Sequence, residues 1–414
     1  MDAAIQNQAG KEKVPVFKNR NFIFLFIAAM FSSPGYYVYL IGAEWLMLSL
    51  SDNRFFFGML FFAASIPRLL LLVVGGLVAD RINKRTILFI SDMTRAILIL
   101  ALIALVWTDS VTAYHLIALA ALFGISDAFS YPALNSMTPA ILEDDQLQRG
   151  NSFIQMTMQI SPILGPALGG TMIAVLGFEG VFTIACGMLL LSALAVIFIK
   201  LPKNDSEMEK ATPMQDLVEG FQYARKNNLV ISIVVVALFI NFFFSGPFSI
   251  GMPIIVKDVF EGSAVSLAMV QTSMGIGALI GAIYLAAKKL KKPGLALVVS
   301  LIILGVLYTI TGISTYLYIT VGTVMAMAFL TQLINIPLFT MLQQTTDKKM
   351  IGRMMSFLVT ASTGLIPVSY VVTSILIAAN VGIQTIITIS GIVIALIGVY
   401  SLKNKTILRY QAKE

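Results

Sequence analysis

Twelve apolar runs, most of them about 20 residues or longer, follow one another along the chain with short polar breaks between them. A run of that length suits a helix crossing a bilayer, because the hydrocarbon core is about 30 Å thick and a helix rises ~1.5 Å per residue. In lipid every backbone amide and carbonyl must find its partner within the protein, which leaves the helix as the solution for single segments. The runs read as 21–50, 55–79, 86–107, 112–136, 151–176, 180–200, 228–256, 263–287, 293–313, 316–342, 352–378 and 381–402. The predicted fold is therefore all-α and integral to the membrane, with the lipid bilayer as the main solvent. The first run is too long for a secretory signal, follows twenty mostly polar residues and ends without a small-residue cleavage pattern.

Composition supports this reading. Of 414 residues 58% are hydrophobic and 12% charged. That is about half the charge of a soluble protein and too little to coat two or three soluble domains. A disordered chain, a disulfide scaffold and an ordinary cytosolic enzyme are excluded. The single cysteine, Cys186, sits in an apolar run and reads as packing, and the single histidine, His115, follows a short loop. No His/Cys cluster with metal-ligand spacing, Walker loop or G-x-S-x-G elbow is present, so neither a metal, a cofactor nor direct use of ATP is expected.

Placement of the basic residues gives the topology. All but four of the 28 Lys and Arg fall on the side of the N-terminus. The exceptions are Arg54 and Lys257 on the opposite side, and Arg68 and Arg95 inside spans. Such asymmetry predicts an even number of spans with both termini in the cytoplasm; the expected location is the plasma (inner) membrane of a bacterium. The net charge of +7 is then a topology signal and not a nucleic-acid footprint.

The one long polar stretch, 201–227, separates six spans from six. The predicted organisation is a tail at 1–20, a six-helix half at 21–200, a linker at 201–227 with a surface helix from Met214, a second half at 228–402 and a tail at 403–414. An internal repeat supports the division: Gly76 matches Gly281 and Pro132 matches Pro337 at an offset of 205, and Ser152-Phe153 matches Ser356-Phe357 at 204.

Two segments carry recognisable motifs. The loop after span 2 joins Gly76, Asp80, Arg81, Asn83, Lys84 and Arg85. Gly76 is expected to let two helices approach closely. This string resembles G-x-x-x-D-R-x-G-R-R, the signature of the major facilitator superfamily of secondary transporters, with Lys84 for an arginine and Asn83 for the glycine, a position the resemblance implies to be left-handed. Span 5 holds Ser161, Pro162, Gly165, Pro166, Gly169 and Gly170, which resembles that superfamily's antiporter motif G-x-x-x-G-P-x-x-G-G. Residues 36–103 and 120–175, with a weaker match at 335–370, are similar to its macrolide- and siderophore-exporter branch. The resemblance implies twelve helices in two pseudo-symmetric bundles, a loop acting as a conformational latch, and drug:proton antiport.

Ionisable groups inside lipid are functional candidates by default. There are five, Glu44, Arg68, Asp92, Arg95 and Asp127, and the interior of spans 7–12 carries none. Asp92 and Arg95, three apart, are expected to pair on one helix face. Counted from the outer ends, Arg68 and Asp127 differ in depth by roughly 3 Å, whereas Glu44 is roughly 10 Å shallower than Arg68. Depth thus favours Arg68 with Asp127, although Arg81 or Arg95 are alternative partners. Glu44 is left as the carboxylate with the least obvious partner and ranks first as proton carrier, with Asp127 second. Its alternative is an exposed glutamate reaching the outer surface.

Tyr36, Tyr37 and Tyr39 in span 1, Asn241 and Phe244 in span 7, and Gln332 and Asn335 in span 10 are candidates to line a substrate cavity. These readings combine into a monomeric carrier, energised by the proton gradient, that exports amphipathic small molecules of antibiotic or siderophore type by alternating access. A lipid or lysolipid translocase on the same scaffold is the alternative, and a nutrient uptake carrier a less favoured one.

Overall fold

The computed structural model describes residues 15–201, 221–222, 225, 228–288, 290–346, 350–403 and 408, and within these the side chains of Asp80, Arg81 and Ser356 are among a few left undescribed. The linker and its expected surface helix lie almost wholly outside the described residues. The described chain is helical throughout. A short 3₁₀ turn, Val16–Lys18, precedes α1 (Arg20–Leu50), α2 (Arg54–Arg81), α3 (Lys84–Trp107) and α4 (Ala113–Ile141). The next stretch, Asp144–Ile197, is interrupted at Gly177, whose φ of 68° and ψ of −169° are not helical. A positive φ of this kind favours glycine. Residues 144–176 and 178–197 are therefore two helices, α5 and α6. At ~1.5 Å per residue an unbroken helix of that length would run roughly 80 Å, well over twice the hydrocarbon thickness.

The second half contains α7 (Asn228–Ile254, continued by a π turn at Ile255–Val259), α8 (Ala264–Ala287), α9 (Pro293–Ile313), α10 (Leu317–Thr345), α11 and α12 (Ile383–Ser401). Helix α11 has two pieces, Ile351–Gly364 and Ile366–Ala378, joined at Leu365. Pro367 has no amide hydrogen to donate, and it stands at the start of the second piece, where none is needed.

The same contacts recur in the two halves. Helix α2 packs on α4 where Gly75 meets the Ala128 carbonyl and Gly124 meets that of Ala64, and α8 packs on α10 where Gly277 meets Met325 and Gly281 meets Phe329 and Gln332. Lobe one (α1–α6) has its core around Tyr39, Phe57, Phe123 and Phe182, and lobe two (α7–α12) around Phe248, Tyr308, Leu301 and Met341. Cys186 is buried in the first core, and His115 closes a capping box with Thr112 at the start of α4.

Two sequence expectations are corrected here. The close approach of α2 to its neighbour is made by Gly75; a Cβ on Gly76 would meet no atom within 4 Å, because it lies one step round the helix, off the α4 contact. Asn83 is not left-handed. It has φ of −57°, and its side chain accepts from the Arg85 amide to cap α3, so the turn needs no glycine.

The lobes meet through α5 against α8 and α2 against the second piece of α11. Gly170 fits against Ala264 and Ala268, Gly275 against Ile163, and Gly58 against Ser374. Phe61 and Tyr370 lie 5.4 Å apart by ring centroids. These contacts occupy the half of the helices remote from the basic end that carries the N-terminus. The first piece of α11, nearer the basic end, packs on α7 and α10 of its own lobe.

Candidate functional site

A cavity of about 810 Å³ separates the lobes. Lobe one contributes Tyr36, Tyr37, Tyr39, Glu44, Arg68, Asp127 and Gln159 to its wall, and lobe two contributes Ser249, Met252, Gln271, Met274, Thr363 and Tyr370. On the remote side polar ties join the lobes. Arg54, at the start of α2, forms a two-pronged pair with Asp258 at the end of α7, through Nε at 2.9 Å and Nη2 at 2.6 Å. Arg54 also donates to the carbonyls of Leu48 and Ser51, and the Lys257 ammonium donates to Leu48 as well. The sequence placed Arg54 and Lys257 as sparse loop charges; in the fold they join the lobes.

Glu44 is buried, at 3% exposure, which rules out a glutamate reaching the outer surface. Its Oε2 accepts from Gln271 Nε2 of the opposite lobe at 2.6 Å. Tyr370 of α11 and Ser249 of α7 stand on the opposite wall of the cavity. A charged carboxylate buried without a cation is costly, and here a single amide from the other lobe holds it. Gln271 was missed in the sequence, although an amide in the middle of an otherwise apolar span was the available signal.

Asp127 lies deeper in the wall between two guanidinium groups. Arg68 Nε is 2.9 Å from Oδ2 and Arg95 Nη2 is 2.9 Å from Oδ1. The pair that depth favoured is present, and Arg95 joins it from the interior of the lobe. Arg95 also donates to Ser130 at 2.7 Å. The Arg68 side chain is 48% exposed on the cavity side and stands 5.8 Å over the Tyr131 ring. Asp92 and Arg95 are 3.6 Å apart, a looser pair than Arg95 with Asp127.

The antiporter-like segment lies where three helices meet. Gly165 and Gly169 let α5 close on Tyr37 and Ile41 of α1, and Gly170 lets it close on α8 of the other lobe. Pro162 and Pro166 face the cavity, and Ser161, buried, donates back to the Thr157 carbonyl. Lys84 and Arg85 begin α3 at the basic end.

Asn241, Phe244, Gln332 and Asn335 do not line the cavity. Phe244 turns into the core of lobe two against Phe248 and Tyr308, and Asn241 donates to Ala237 of its own helix. Gln332 packs beside Gly281, while Asn335 is exposed. Their helix faces are rotated away, and α8 and α11 supply the wall instead. Among the described residues no group of three or more His, Cys, Asp or Glu side chains is gathered to hold a metal.

Two repeated helical lobes around a cavity with charged groups at membrane depth define a membrane carrier. The chain belongs to the Major Facilitator Superfamily, whose family model matches residues 25–369. Macrolide efflux protein A of Streptococcus pyogenes is 21% identical over 336 residues, covering 78% of this chain and 81% of that protein. The enterobactin exporter EntS of Escherichia coli is 24% identical over 288 residues, 68% of this chain and 67% of its own. A crystal structure of the nucleoside transporter NupG superposes with a TM-score of 0.67 at 12% identity, over 94% of this chain and 99% of that one, which supports the fold.

Proposed function

We propose that this chain is a monomeric secondary exporter of amphipathic small molecules, driven by the proton gradient across a bacterial inner membrane with both termini cytoplasmic. The observation that carries the reading is Glu44, a carboxylate lining the cavity and held across the lobe interface by Gln271. Relatives named for macrolide efflux and enterobactin export support the direction and the substrate type. The largely aromatic and apolar wall suits amphipathic bodies, because it offers area with few obligatory hydrogen bonds.

The sign of the coupling follows from burial. An ionised Glu44 is penalised while the remote side is closed, and opening that side hydrates it. A protonated Glu44 carries no such penalty. Deprotonation through a cavity facing the basic end therefore favours opening to the remote side, carrying substrate outward. Protonation there favours return to the state seen here, carrying a proton inward. Loss of the Gln271 contact and the Arg54–Asp258 pair accompanies the opening. Asp127, bridged by two arginines, ranks second as proton carrier. The loop from Gly76 to Arg85, through Asp80, Arg81 and Lys84, would latch the lobes together at the basic end when that end closes.

Cells expressing the chain, screened with macrolides, catechol siderophores and lipophilic cations, test this. A protonophore should raise accumulation of whichever compound is exported. Accumulation unaffected by the protonophore for every exported compound contradicts proton coupling. Flipping of a labelled lysolipid in proteoliposomes with no small-molecule export favours the translocase reading.

A further inference from the structure

A second cavity, of about 110 Å³, lies inside lobe one behind the central one, between α1, α3, α4, α5 and α6. By that measure a water molecule needs roughly 10–15 Å³, so there is room for several. Tyr36, Asp127 and Tyr131 form a wall shared by the two cavities. Beyond that wall the chamber reaches Asp92, which is 4% exposed, and it ends at Leu25, Leu88 and Val196 toward the basic end. Arg95 lines it too. This arginine is 5% exposed, and its Nε has no hydrogen-bond partner.

Asp92 is held mainly by hydroxyls. Ser32 donates to Oδ1 at 2.9 Å, and Ser192 lies 2.6 Å from Oδ2 and 3.0 Å from the Ala28 carbonyl. A serine hydroxyl has a single hydrogen, so Ser192 can serve only one of these acceptors at a time. With Asp92 ionised, the hydrogen points to Oδ2. With Asp92 protonated, the carboxyl O–H donates to Ser192 Oγ and the serine hydrogen turns to Ala28. Both protonation states are thus satisfied with no movement of heavy atoms. The nearest cation is Arg95, whose Nη1 lies 3.6 Å from Asp92 Oδ1, beyond hydrogen-bond distance, while its Nη2 serves Asp127 and Ser130. The other charged or titratable groups facing the chamber are Asp127, with Arg68 beyond it, Tyr36 and Tyr131.

We propose that Asp92 is a proton-binding site, reached from the central cavity through the chamber, with Ser192 as a two-position hydroxyl that accommodates either form. The step balances simply. A hydronium in the chamber loses one O–H bond, Asp92 Oδ2 gains one, and the water remains. Any contribution of this site to transport rests on the proton-coupled reading above, but the protonation can be tested without a substrate.

The test is pH-difference infrared spectroscopy of the full chain in lipid vesicles, following the carbonyl stretch of protonated carboxyl groups. Wild type should gain several components on acidification, and a folded Asp92→Asn variant should lose one of them. Ser192→Ala should keep that component but displace it, because the acceptor of the carboxyl O–H is gone. Glu44→Gln should remove a different component. A folded Asp92→Asn protein with the wild-type spectrum overturns the proposal. If Asp92→Asn does not fold, Ser192→Ala decides, and no displaced component overturns it equally. Failure of gradient-driven export with these signals intact counts against the transport reading alone.

Discussion

The two lobes share a scaffold and differ in their chemistry. Gly75 and Gly124 close α2 on α4 in lobe one, and Gly277 and Gly281 close α8 on α10 in lobe two. Yet the cavity wall of lobe one carries Glu44, Arg68 and Asp127, with Arg95 and Asp92 behind them, whereas the opposing wall offers Ser249, Gln271, Thr363 and Tyr370. Charge in the membrane interior is tolerated where partners surround it, and for all but Glu44 lobe one supplies those partners, from five helices. Lobe two supplies neutral groups that lobe one can bind or release. The repeat explains how the halves pack; the unequal placement of charge sets them apart.

That contrast can be broken at several points. The largest effect on export is expected at Glu44; the effects that follow are on stability. Glu44→Gln should lower gradient-driven export about tenfold or more, the equivalent of ~1.4 kcal/mol, with the protein still folded. Substitution of Thr363 by Val on the neutral wall, assayed alongside, should leave the response to the gradient in place. Next comes Asp127→Asn, which leaves buried Arg95 beside Arg68 with only Asp92 to offset them. Breaking such a pair costs about 3 kcal/mol, reduced by the exposure of Arg68, and should appear as a lower melting temperature in detergent. An unchanged melting curve would mean that the arginines are compensated in some other way.

The scaffold side of the comparison is tested by Gly75→Leu and Gly277→Leu. Each forces a side chain against a facing helix and should cost about 1–3 kcal/mol; a large difference between them would show that the repeat does not extend to packing. Smaller still is the link between lobes. A double-mutant cycle of Glu44→Gln with Gln271→Leu should give a coupling of about 1 kcal/mol, and additivity would show that the bond contributes nothing. The smallest effect is Gly76→Ala, expected to be neutral or stabilising by about 0.5–1 kcal/mol, because that position meets no neighbour.

Bilayer thickness made the spans legible. The run read as 293–313 is α9 residue for residue, and others differ mainly where helices project beyond the apolar segment, as α4 does to Ile141. Depth along a helix was equally readable, and it paired Arg68 with Asp127. Rotation about the helix axis was not. It decides that Gly75 and not Gly76 meets α4, that α10 turns Gln332 and Asn335 away from the cavity, and that Gln271 meets Glu44. Rotation is fixed by packing against neighbours distant in sequence, which one chain read alone does not reveal. Ser32 and Ser192 escaped notice for the same reason, since only the fold brings α1 and α6 to Asp92.

The most direct test is made in proteoliposomes, with an exported compound found by the screen. Wild type and Glu44→Gln are compared in two modes, accumulation driven by an imposed pH gradient and exchange of labelled for unlabelled compound with no gradient. The account predicts that Glu44→Gln retains exchange and loses accumulation, because the lobes still move but the proton no longer biases them. Accumulation by Glu44→Gln at the wild-type level would contradict it.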